Sequence, residues 1–122
     1  MLVLTALERD ILLHRLEIAD TIAECLCDDD GSLDGDAIAS TAEMLERLVV
    51  AGPLSGDALA LPYAAAVLAN AVEHSVYHAC AEDAHRDRVI SAQKLAAVER
   101  AAISLAAKVG RFIGRPLVPS LG

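Results

Sequence analysis

The sequence predicts an all-α fold, a single domain of four antiparallel, bundle-like helices with an extended C-terminal tail. Three observations predict it. Apolar residues recur every three to four positions along four separate segments. Alanine and leucine, the strongest helix formers, dominate an apolar fraction of 55%. Aromatic residues, which favour strands, are confined to two tyrosines and one phenylalanine, with no tryptophan. At 122 residues the chain is long enough to bury one core and too short for two.

The first helix is expected over residues 6–27. Thr5 and Glu8 have the spacing of a capping box, in which a hydroxyl and a carboxylate each satisfy one orphan backbone amide. At 100° per residue Leu7, Ile11, Ile18, Ala19, Ile22 and Leu26 fall on one side, with Asp10, His14, Glu17, Thr21 and Glu24 opposite. Leu13 and Leu16 lie outside that stripe, which implies a second packing surface. Arg15 lies inside it, where a charge needs a structural partner such as Glu8 or an acid on a neighbouring helix. The helix stops at Asp28, Asp29, Asp30 and Gly31, because acids are unfavourable at the negative helix end.

The second helix is expected over residues 36–51, launched by Asp34 or Asp36. Ala37, Ile38, Ala42, Met44, Leu45, Leu48 and Val49 share its apolar face, and Glu43 and Arg47 have i,i+4 pairing distance on the other. Gly52 and Pro53 end it. A connector follows, and Pro62 suits the first turn of a third helix over residues 62–86, with Ala65, Leu68, Val72, Val76 and Ala79 as its buried stripe. Ser91 caps a fourth helix over residues 91–111, lined by Leu95, Val98, Ala102, Leu105, Ala106, Val109 and Ile113. Gly114, Pro116 and Pro119 leave residues 112–122 as the tail.

The net charge of −8 is unevenly spread. Residues 1–60 carry three arginines against thirteen acids, and residues 61–122 seven basic side chains against five acids. Such an acidic chain is repelled by nucleic acid and by anionic membranes, so direct binding to either is not expected. The longest uncharged stretch, residues 58–72, is too short to span a bilayer and reads as buried helix. Three cysteines, an odd number, with no basic apolar leader ahead of Thr5, fit free thiols in the cytoplasm. Cys25 and Cys27 point about 200° apart on a helix and cannot grip one ion together, so they read as core thiols.

Two constellations could carry metal chemistry. Asp30, Gly31, Ser32, Leu33, Asp34, Gly35 and Asp36 match the opening of a helix–loop–helix calcium site, with oxygen ligands at alternating positions and a glycine at the turn. The match fails at its twelfth position, where the bidentate acid is replaced by Thr41. The loop then reads as a solvated turn that caps the second helix. His74, His78 and His85 form a stripe on the third helix, with Glu82 nearby as a third-ligand candidate for zinc. A solvated face or a partner-binding patch explains the same histidines equally simply.

No nucleophile–base pair, phosphate-cradling loop or dinucleotide fingerprint occurs, so no catalytic residue and no cofactor is expected. The functional expectation is a small, acidic, non-enzymatic module that binds another protein and pairs with itself. Leu13, Leu16, Val50, His74 and His78 are the candidate interface residues, because apolar side chains left off their stripes mark interfaces. Glu17, Glu24, Asp28, Asp29, Asp30, Asp34 and Asp36 form a candidate acidic surface for a basic partner. A sharper version is an inhibitor that meets a basic nucleic-acid-binding groove. In being short, acidic and without a motif, the chain has the general character of phage counter-defence proteins, CRISPR inhibitors among them.

Overall fold

The computed structural model describes residues 1–74 and 92–119, and its regular structure is helical throughout. Helix α1 spans Ala6–Leu16. Thr5 caps it, and both halves of the capping box form: Glu8 N donates to Thr5 Oγ1 and Thr5 N donates to Glu8 Oε1. Helix α2 spans Ala19–Asp29.

The single helix expected over residues 6–27 is therefore two. The break falls at Glu17 and Ile18, where Ile18 leaves helical geometry (φ −103°, ψ 60°) and its N–H donates to Arg15 O, three residues back. No glycine or proline marks the spot. The gain is tertiary: the bend lets α1 bury Ile11, Leu12 and Leu16 while α2 buries Ala19, Ile22 and Ala23 in one continuous core. The buried face of α1 is also rotated from the expected stripe. Arg15 is inside as expected, but so are Glu8, Leu12 and Leu16, while Leu7, assigned to the core, is exposed.

Helix α3 spans Gly35–Ala51, with Asp34 as its N-cap: Oδ1 accepts from the amides of Asp36 and Ala37. Ile38, Thr41, Ala42, Leu45 and Val49 face the core. Helix α3 packs most extensively on α2 and also on α1, and α1 in turn contacts the C-terminal helix. After α3, Leu54 exchanges both backbone hydrogen bonds with Leu2, pinning the start of the chain to this connector. A 3-10 turn follows at Gly56–Ala60.

Residues 64–74 form helix α4 up to the limit of the described segment. It starts two residues later than Pro62 suggests. Pro62 and Tyr63 instead occupy a turn closed by Ala64 N donating to Leu61 O, with Tyr63 at φ 59°. Every residue from Val67 to Val72 is buried, so this helix is enclosed rather than amphipathic, as an uncharged all-round apolar segment should be. Ala65, assigned to the buried stripe, is exposed.

Helix α5 spans Ala92–Ile113, and Val98, Ala102, Leu105, Ala106 and Val109 are buried as the spacing indicates. It runs two residues past the expected end. Gly114 (φ 80°) reverses the chain, and Arg115 N donates to Gly110 O, the 6→1 bond of a Schellman motif. The residues beyond then cross α5 at Gly110. A Cβ at position 110 would lie 2.8 Å from Arg115 O and 3.5 Å from Leu117 N.

Candidate functional site

Among the described residues four charged or polar side chains lie inside the molecule: Glu8, Arg15, Thr41 and Asn70. Glu8 is 2% exposed, and Lys108 Nζ reaches it from α5 at 2.7 Å. Its neighbours outweigh burial. Desolvation pushes the carboxyl up, but hydrogen bonds from Lys108, the Thr5 amide, Ser104 and the Thr5 hydroxyl together lower it to about 2. The second oxygen, Oε2, has no hydrogen-bond partner among the described residues.

Arg15 is 4% exposed. Its Nε and Nη2 donate to Asn70 Oδ1 at 3.4 and 3.3 Å, and Asn70 Nδ2 donates to Cys25 Sγ at 3.2 Å. Burial pushes the guanidinium down from its ordinary value, offset in part by the nearby Cys25 sulfur. The chain Arg15–Asn70–Cys25 joins α1, α4 and α2. Glu8, suggested as Arg15's partner, is engaged with Lys108 instead. Both groups tie helices together in the interior, where a partner could not reach them.

The outer surface has a different character. Glu17, Glu24, Asp28, Asp29, Asp30, Asp34 and Asp36 are all exposed, running from the end of α1 through α2 to the first turn of α3. None of the seven is ion-paired with a basic side chain among the described residues. Two have local duties. Asp30 Oδ1 accepts from Ser32 Oγ at 2.6 Å and from Ser32 N at 3.0 Å, which lowers the Asp30 carboxyl, and Asp34 caps α3. Asp34 N also donates to the Tyr63 hydroxyl at 3.4 Å.

The calcium-like loop does not assemble a cage. Among the described residues no three His, Cys, Asp or Glu side chains stand close enough to hold an ion. Asp30 and Asp34 are turned to backbone amides, and Thr41 is buried in the core. Of the histidine stripe, His74 is exposed, and His78, Glu82 and His85 lie outside the described residues.

The candidate interface residues are scattered. Leu16 is fully buried, because the rotated face of α1 turns it inward, so it belongs to the core and not to a surface. Leu13 is half-buried against that core. Val50, at 61%, is exposed. The residues that sequence reasoning missed are Met44 and Leu48, assigned to the core of α3 yet 39% and 40% exposed. A seven-residue apolar face is wider than one flank of a helix can bury, and that excess was the available signal. Met44 and Leu48 line a groove of about 270 Å³ with Pro53, Leu54, Asp57 and Leu61. Glu43 and Arg47 stand beside them, exposed, and do not form the expected i,i+4 ion pair.

Cys25 and Cys27 are free thiols, both half-buried. Among the described residues no helix is long and apolar enough to cross a membrane. No known protein family matches the chain, no curated protein is similar to it, and no solved structure matches it.

Proposed function

We propose that this chain is a small, non-enzymatic interaction module of the cytoplasm that pairs with itself and presents an acidic surface to a basic partner protein. The observation that carries this reading is the run of eight exposed acids from Glu17 to Asp36, Asp20 among them, none ion-paired among the described residues. Surface carboxylates without counter-charges keep a negative potential that steers and selects a basic partner. Two free thiols among the described residues, Cys25 and Cys27, support a reducing compartment.

The test is affinity capture from the native host with the wild-type chain and with a Glu24→Lys, Asp28→Lys, Asp29→Lys variant. These three side chains are exposed, and lysine in the last turn of α2 favours the helix dipole, so the variant should fold at least as well. A partner with a basic surface should be retained by the wild type, released by salt and lost with the variant. Identical capture by both proteins would sink the reading.

A second reading rests on the same run of acids, whose spacing along α2 and the following loop presents dense negative charge to a nucleic-acid-binding groove. On this reading the chain inhibits a defence nuclease. It requires the captured partner to lose affinity for its own nucleic acid when the chain is bound.

A further inference from the structure

The outward stripe of α3 has two features that a solvated helix face does not need. Met44 and Leu48 are about two-fifths exposed, four residues apart, with exposed Ala51 continuing the line. Beside them, Glu43 and Arg47 are exposed and make no ion pair or hydrogen bond with each other or with any described residue. Arg47 is one of only three basic side chains in residues 1–60, and of the other two Arg15 is buried and Arg9 is partly buried. The one exposed arginine of the acidic half thus stands next to an exposed apolar pair.

We propose that this stripe is the interface of an isologous homodimer, in which α3 of one protomer lies antiparallel on α3 of its partner. The proposal rests on the interaction-module reading and names the self-pairing surface. A twofold axis between the helices, level with the midpoint of residues 43 and 47, places each residue beside its mirror position along the other helix. Glu43 of each protomer then faces Arg47 of the other, twice per dimer. Met44 and Leu48 mesh with the same pair across the axis, and the groove beside Pro53 and Leu61 receives side chains from the second copy. The arrangement is self-complementary in charge. A stripe bearing one acid and one base a single helical turn apart matches itself only when antiparallel. The acidic run from Glu17 to Asp36 is not used and stays open.

Sedimentation velocity on the full chain tests this, with circular dichroism as the folding control. The wild type should dimerise at about 100 µM. Leu48→Asp, at an exposed position, should keep its helicity and sediment as a monomer. Glu43→Arg and Arg47→Glu should each weaken self-association on the order of tenfold or more, since each replaces two attractive contacts by repulsive ones. Mixed together, these two variants should form a heterodimer near wild-type affinity, because one protomer then carries two bases and its partner two acids. A monomeric wild type overturns the proposal, and so does a mixture no tighter than the single variants. A dimer that persists in Leu48→Asp places self-pairing elsewhere: the α3 interface fails while the interaction-module reading, judged by capture, stands.

Discussion

Glu8 shows why a buried charge is tolerated here. Its carboxylate serves as the acid of the α1 capping box and as the counter-ion of Lys108, so removal from water is offset twice over. Folded, it titrates at about 2; unfolded, near 4.5. Its stabilisation is therefore complete above pH 4.5 and is lost as the pH falls towards 2. The loss amounts to about 3 kcal/mol. Urea midpoints measured across that range should fall in the wild type, and should fall much less in Glu8→Gln, which is already destabilised at neutral pH. Parallel curves for the two proteins would refute the assignment. Asn70 is the second interior test. Asn70→Leu removes the acceptor of two guanidinium bonds and the donor to Cys25 at once. A cost of about 2–4 kcal/mol is expected in chemical denaturation. An unchanged midpoint would mean that Arg15 is satisfied without it. Both misfits were visible in the sequence, Arg15 inside an apolar stripe and Asn70 inside the longest uncharged stretch. Each buried polar group needs a partner. What the sequence could not show is that these two answer one another across 55 residues.

At the scale of elements, helical periodicity located α3 and α5 closely, and the caps at Thr5 and Asp34 are where their chemistry puts them. The misreadings have tertiary causes. The α1–α2 break needs no breaker residue, since the bend is stabilised by the core that it completes. Asp34 serves as the cap it was expected to be, its carboxylate accepting from backbone amides two and three residues on. Met44 and Leu48 satisfied the periodicity of a core face, and periodicity alone cannot tell a buried flank from an exposed one. Two substitutions check this level. Thr5→Ala removes the hydroxyl half of the capping box and should cost about 1 kcal/mol in thermal unfolding. Gly110→Ala sets two effects in opposition. Alanine favours a helix interior by about 1 kcal/mol over glycine. The added carbon, however, would sit 2.8 Å from a backbone oxygen of the returning chain. The clash should win, leaving a net destabilisation of about 1–2 kcal/mol. A stabilised Gly110→Ala protein would show that the crossing is not maintained in solution.

For the whole molecule, apolar periodicity and composition together carried the all-α class, and the enclosed α4 followed from a stretch with no charge to keep wet. The exposed acids carry a consequence of their own. Their mutual repulsion should be screened by added salt, whereas the buried Glu8–Lys108 pair should hardly respond. Raising sodium chloride from about 20 to about 200 mM should lift the melting temperature by about 2–5 °C. A fall would show that attractive surface pairs dominate instead. The Glu8–Lys108 contact also bears on the order in which the fold is made. The two residues are a hundred positions apart, so a growing polypeptide exposes the acid long before its base leaves the ribosome. Until then the Glu8 carboxylate has no base to offset its burial, while α2 and α3, neighbours in the chain, can already zip together. Nascent chains arrested short of residue 108 should slow amide exchange in α2 and α3 more than in α1, whose full protection waits for Lys108. The last helix to be synthesised would then be the one that lets the first settle.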